Sequence, residues 1–239
     1  MATMPKLFNK EDDYNAIILK VSQETGTPYA VLKGFVALES AFDEKAYRYE
    51  AHINDASYGL AQVLNRTARG VGFTGEPAEL FDPYKSLKYG GLFIRALAKQ
   101  YPNLLDLIAA YNMGFPRKIT ATTQLIANVY GYPLEYRTKP PADWVYANEP
   151  YVRRVASYIA YYQAKEKNDT TEALRIYDLI KKKVLMTPTG WVNPSISQPE
   201  PAPLPSPVPP TPSGSLKVYP TYSRPSWQVW LDSVLSFFS

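Results

Sequence analysis

Val31-Leu-Lys-Gly-Phe-Val-Ala-Leu-Glu-Ser40 is the stretch that decides how this chain reads. Leu32, Phe35, Val36 and Glu39 recur at i, i+3, i+4 and i+7, the period of one face of an α-helix. Three of the four are apolar, so the stripe faces a core, and Glu39 lies on it. A carboxylate on a core face must be paired, or held protonated through a raised pKa. Glu39 also falls late in the helix, where the macrodipole disfavours negative charge. A carboxyl kept partly protonated near neutrality suits general acid chemistry. The alternative reading is a glutamate at a helix end whose head group reaches water.

Other helices flank this one. Asn9 can cap a helix running to about Glu24 through Tyr14, Ile17, Ile18 and Val21, and Gly26 ends it. Thr27 is expected to cap the Glu39 helix, with Pro28 at its first position. Residues 42–57 read as irregular, and Leu60 to Arg69 as a short helix. Asp82-Pro83 opens a helix to about Lys99, and Leu104 to Tyr111 forms another. Tyr130 to Asn148 is rich in proline and aromatics and reads as a long loop. Pro150 to Lys165 is helical, and Asp169-Thr-Thr-Glu172 fits a capping box for a last helix ending near Leu185. No segment alternates convincingly as a strand, so the expected fold class is all-α.

The composition changes at about residue 191. Eight prolines fall between Pro199 and Pro212, which predicts an extended spacer over residues 191–226. Beyond it, Trp227, Trp230, Leu231, Val234, Leu235 and Phe238 form the apolar stripe of a short helix, residues 227–239. So short a helix is marginal alone in water and is expected to dock. Its own domain, a partner protein and a membrane interface are the candidates. A partner protein is favoured, because self-docking needs no long spacer and the polar face lacks the Lys and Arg of membrane-surface helices.

Bulk properties remove most chemistries. The 239 residues are 46% hydrophobic and 20% charged, as in soluble globular proteins. With no Cys and His52 as the one His, thiolate catalysis, zinc-thiolate sites, a two-histidine zinc site and a Ser-His-Asp triad are implausible. No Gly-rich phosphate loop is present. Carboxylate chemistry remains, with no metal or other cofactor expected. The net charge of +4 favours anionic partners, and its one dense run, Lys181-Lys182-Lys183, reads as a solvated helix end, so nucleic acid ranks last. The first residues have no apolar stretch of the signal-peptide kind, and no run is long enough for a membrane span.

Four segments, in order, resemble one family. They are Ala37-Leu-Glu-Ser-Ala-Phe42, Ser57-Tyr-Gly-Leu-Ala-Gln-Val63, Ala109-Ala-Tyr-Asn-Met-Gly114 and Glu149-Pro-Tyr-Val-Arg-Arg-Val155. Leu80-Phe-Asp-Pro83 with Gly90-Gly91 is similar to the link between the second and third. This is the pattern of the soluble lytic transglycosylases, whose catalytic domain is goose-lysozyme-like, and it covers roughly residues 10–165. The resemblance implies a lysozyme-like helical domain over residues 1–190. It also implies cleavage of the β-1,4 bond between N-acetylmuramic acid and N-acetylglucosamine in peptidoglycan, leaving a 1,6-anhydro sugar.

By this resemblance Glu39 is the acid and then the base, and Tyr111 hydrogen-bonds and orients it. Asn112 supports the same pocket, Gln62 and the backbone at Gly59 line the sugar groove, and Tyr151 approaches the glutamate from the last motif helix. Read from residues alone, Tyr111 and Tyr151 are equally core tyrosines and Asn112 to Gly114 a turn. Three departures stand out. Ala61 replaces the family's groove-lining Met, which is expected to widen the groove. The spacing from Glu39 to Gly59 is longer than usual, which suggests an insertion around Tyr47 to Asn54. Ser57 is the nearest match to a family Ser. The runner-up is a hydrolysing muramidase, which needs a second carboxylate roughly 5–9.5 Å away; Glu50 and Asp55 are the candidates. A catalytically inactive glycan-binding or structural module is the third reading. The spacer and terminal helix fit an enzyme carried in a phage virion, acting in the bacterial periplasm or cell wall during genome entry.

Overall fold

The computed structural model describes residues 4–120 and 140–182. Among these the chain is mostly helical, as the sequence predicts, with one small sheet. The spacer and the terminal helix lie outside the described residues.

Helix α1 spans Asn15–Thr25 and ends at Gly26, whose φ of +69° lets its N–H reach Ser22 O at 2.9 Å. Asn9 does not cap it; residues 9–14 form turns before the helix begins. Helix α2 spans Tyr29–Glu39 and starts one residue later than the sequence suggests. Thr27 does not cap it either, since its hydroxyl donates to Gly91 O at 2.8 Å and ties the α1–α2 turn to a later helix.

The remaining helices are α3 (Asn65–Gly70), α4 (Pro83–Gln100), α5 (Leu104–Met113), α6 (Glu149–Glu166) and α7 (Thr170–Lys181). Asp82 caps α4, accepting from Lys85 N at 2.9 Å, and Asn103 caps α5, accepting from Leu105 N at 2.9 Å. Asp169 caps α7 by accepting from Glu172 N at 3.0 Å. The reciprocal half of that box is missing, because Glu172 turns to pair with Arg175.

Helix α2 is the centre of the core. Leu32, Phe35 and Val36 are fully buried, as are Val152, Val155 and Ile159 of α6, the helix packed most closely on α2. Each such side chain contributes about 1.5–3 kcal/mol by leaving water. The α2–α6 crossing is close at Gly34, where an added Cβ would lie 2.4 Å from Ile159 Cγ1 and 2.9 Å from Ile159 N. No larger residue fits without moving α6.

The segment read as irregular supplies the first strand and most of the second of a three-stranded antiparallel sheet, ordered β1 (Tyr47–Glu50), β2 (Asp55–Tyr58), β3 (Val63–Leu64). Its register pairs Tyr47 with Tyr58, Arg48 with Ser57 and Glu50 with Asp55. The apolar period that marks a half-buried strand is missing: β1 is exposed through its first three residues, and the buried part of β2 is Asp55, Ala56 and Ser57. The short helix read over residues 60–69 is instead turn over 60–62, strand over 63–64 and helix only from Asn65. A minor core of Val63, Ala68, Phe73 and Leu80 lies beneath this lobe.

Candidate active site

Glu39 is the last residue of α2, and it is partly buried. Tyr151, 1% exposed and on the first turn of α6, donates its hydroxyl to Glu39 Oε1 at 2.5 Å. The close packing at Gly34 brings α6 near enough for this bond across 112 residues. Burial pushes the Glu39 carboxyl up to about 7. The Tyr151 hydrogen bond and the Arg48 charge act the other way and hold it from rising further.

Tyr111 does not take the role expected of it. Its hydroxyl donates to Ala61 O at 2.7 Å, while its ring packs on Phe35 at 4.4 Å and Phe93 at 5.2 Å between centroids. Phe35 is one turn before Glu39, so Tyr111 walls the site without binding the carboxyl. Burial, and then the nearby Glu39 charge, holds its phenol well above the usual range, so it remains neutral. The residue that hydrogen-bonds Glu39 is Tyr151.

The Gly59 to Gln62 turn is locked to the Glu39 segment. Ser40 Oγ lies 2.8 Å from Leu60 O, joining the residue after Glu39 to this turn. Gly59 adopts φ +65°, and a Cβ there would lie 2.4 Å from Leu80 O, so both conformation and space demand glycine. Gln62 donates through Nε2 to Ala46 O at 2.9 Å and Gly59 O at 3.1 Å, and its Oε1 lies 3.3 Å from Ser57 Oγ. In this state the Gln62 amide braces the turn. Ser57 is buried beside it.

Ala61 is 1% exposed and so does not widen a groove. It is matched by Gly90, where a Cβ would come within 2.5 Å of the Ala61 Cβ. Asn112 is exposed, and its Oδ1 accepts from the buried Asn148 Nδ2 at 3.0 Å. Asn148 stands just before α6, so this bond ties the end of α5 to the start of the Tyr151 helix.

Both candidate second carboxylates are engaged by other groups. Asp55 is buried, its oxygens accepting from Ala56 N at 2.8 Å and Arg66 N at 3.0 Å. Glu50 pairs with Arg48 Nε at 2.8 Å. The charge acting on Glu39 is that of a cation, Arg48.

The sequence reading missed the residues that fix Tyr151. Glu149 is fully buried, accepts from Val145 N and Tyr146 N at 2.9 Å each, and pairs with Arg153 Nε at 2.8 Å. Arg153 in turn binds Asp143 Oδ2 at 2.8 Å. Removing one member of so buried a pair leaves a charge without its partner. Both residues stand in Glu149-Pro-Tyr-Val-Arg-Arg-Val155, and their i, i+4 spacing was the available signal.

Among the described residues no group of three or more His, Cys, Asp or Glu is placed to hold a metal ion, and no helix is long and apolar enough to cross a membrane.

Residues 16–125 match the family model described as Transglycosylase SLT domain. The match takes in the first three of the four segments; the fourth, with Tyr151, lies beyond it. Among solved structures, an inactive mutant of the lytic transglycosylase Slt from Pseudomonas aeruginosa is similar at 18% identity and a TM-score of 0.47, covering 66% of this chain and 25% of that one. The chain thus spans about a quarter of that protein's length. No curated protein sequence matches the chain.

Proposed function

We propose that this chain is a peptidoglycan lytic transglycosylase that cleaves the β-1,4 bond between N-acetylmuramic acid and N-acetylglucosamine, with Glu39 as its single acid and base. The carrying observation is a half-buried carboxyl at the end of α2, pushed up to about 7 and hydrogen-bonded by Tyr151, within a segment that matches the transglycosylase SLT domain model. A pKa near neutrality makes both protonation states accessible in one catalytic cycle.

In the first step Glu39 gives its proton to the glycosidic oxygen as the bond from that oxygen to the muramyl C1 breaks. The resulting carboxylate takes the proton of the muramyl C6 hydroxyl as O6 bonds to C1. Glu39 ends protonated, as it began, and no water is consumed. Tyr151 supports this cycle, since its hydroxyl stabilises the ionised form that exists between the two steps. One carboxyl suffices, which accords with Asp55 and Glu50 each being engaged by other groups.

The test is digestion of purified peptidoglycan by the full chain beside Glu39→Gln, with products read by mass spectrometry. Anhydro-muramyl ends that vanish in the variant are expected. Reducing ends would instead establish hydrolysis.

The finer biological reading rests on sequence outside the described residues. In it the domain is a phage virion component that opens the cell wall locally during genome entry, acting in the bacterial periplasm or wall. The proline-rich spacer gives reach, and the apolar stripe Trp227 to Phe238 docks on a protein of the particle. Deleting residues 227–239 should leave digestion intact and abolish incorporation into particles; normal incorporation would sink this reading.

A further inference from the structure

The β1–β2 hairpin brings to the site one charged side chain that the reaction above does not use. Arg48 stands on β1 opposite Ser57. Ser57 Oγ meets Gln62 Oε1 at 3.3 Å, Gln62 Nε2 binds Gly59 O at 3.1 Å, and Leu60 O takes the Ser40 hydroxyl at 2.8 Å. Arg48 is thus linked through a short chain of contacts to the residue after Glu39. The alternation of a strand sends Arg48 and Glu50 to one face and Tyr47 and Tyr49 to the other.

The guanidinium is held by one edge. Its Nε pairs with Glu50 Oε1 at 2.8 Å, while the side chain remains 70% exposed. Its two Nη nitrogens take no hydrogen bond among the described residues. Glu50 is itself shared with His52 Nδ1 at 3.7 Å. A guanidinium fixed by Nε, with both Nη groups open, suits a second, two-pronged carboxylate contact. A lysine could not reproduce that fork.

We propose that Arg48 binds a carboxylate of the acidic peptide stem carried by the muramyl residue at the cleavage site, so that the chain selects glycan whose stems carry free carboxylates. This rests on the peptidoglycan reading above. It assigns a role to the segment around Tyr47 to Asn54 that the family resemblance leaves as an insertion. A catalytic consequence follows. In the free protein the Arg48 charge favours ionised Glu39. Once a stem carboxylate compensates that charge, the protonated acid is favoured, and this happens only when the correct substrate is bound.

The test compares full-chain protein with Arg48→Gln and Arg48→Lys on two substrates, stem-bearing strands and the same strands with their stem carboxylates converted to neutral amides. A charge-assisted hydrogen bond supports discrimination of roughly tenfold or more. The expected result is a KM ratio between amidated and stem-bearing strands that falls by about that factor in Arg48→Gln, with only partial rescue by Arg48→Lys. An equal change on both substrates, or none, overturns the proposal. A parallel sedimentation with insoluble sacculi uses Glu39→Gln, with and without Arg48→Gln. Weaker retention of the double variant supports the proposal, and equal retention overturns it. Failure of the unmodified chain to produce anhydro ends would sink the proposed activity, while the retention comparison would still decide the role of Arg48.

Discussion

Replacing Glu39 by glutamine should make the protein more stable, and only at neutral to alkaline pH. The carboxyl ionises near 4.5 in an unfolded chain and near 7 in the fold. Between those values the folded protein holds a proton that the unfolded chain releases, so stability falls as pH rises. The loss begins above about 4.5 and is complete once the pH passes about 7. A gap of about 2.5 pH units at 1.36 kcal/mol each amounts to about 3 kcal/mol. Glutamine has nearly the same shape, can still accept the Tyr151 hydroxyl through its amide oxygen, and carries no charge to desolvate. Denaturant unfolding of both proteins, followed by fluorescence, should give similar stabilities at pH 4 and a variant more stable by up to about 3 kcal/mol at pH 8.5. A difference that does not vary with pH would refute the reasoning, because it would mean that Glu39 has the same pKa folded and unfolded.

Further expectations concern the neighbours of Glu39. Tyr151→Phe removes a donor that favours the ionised carboxylate, so the Glu39 pKa should rise by about one unit; the alkaline limb of kcat/KM against pH should move up with it, and a fixed limb would contradict the assignment. Gly34→Ala forces a Cβ against the Ile159 backbone and should destabilise by about 1–3 kcal/mol, read as a lower Tm together with weakened catalysis. Ala61→Met restores the residue type that the family pattern has there, yet the side chain must enter the contact with Gly90. It should lower Tm by an amount corresponding to about 1–3 kcal/mol without improving glycan KM.

The helical frame was legible because its signals are local. Gly26 as a stop, Asp82-Pro83 as a start and the apolar stripe of α2 each depend on neighbours within a few residues, and each appears where the sequence places it. The hairpin was not legible, because its strands bury polar residues and expose tyrosines, which erases the two-residue period. The site was legible as a set of segments but not as a set of bonds. Periodicity can put Glu39 on a core face, but it cannot say whether Tyr111 or Tyr151 supplies the hydroxyl. That choice is made by the α2–α6 distance at Gly34, a contact between residues far apart in the chain. Ala61 illustrates the same limit. Its size suggested an open groove, whereas Gly90 on α4 closes over it.

The backbone after Glu39 explains how a carboxyl can be kept in so unfavourable a place. Ala41 and Phe42 both adopt positive φ, at +50° and +66°, and Gln62 across the Ser40–Leu60 link does so at +46°. Non-glycine residues in that region carry strain of about 1–3 kcal/mol each. The strain ends α2 at Glu39 and turns the chain sharply inward, so that Phe42 is fully buried, its ring 5.7 Å from Phe8 and 6.4 Å from Tyr162. That burial offsets the strain with packing energy of the same order. Phe8 belongs to the segment before α1, which Glu11 fastens by accepting from Leu7 N at 2.8 Å and pairing with Lys165 Nζ at 2.7 Å. The anchor of the Glu39 turn is thus built partly from residues that precede the matched domain. The carboxyl then lies at the negative end of α2, where dipole and burial favour the proton, while Tyr151 and Arg48 favour its release. A single carboxyl that must first give a proton and then take one needs these opposing influences in near balance, and the rigid turn holds the distances on which that balance depends.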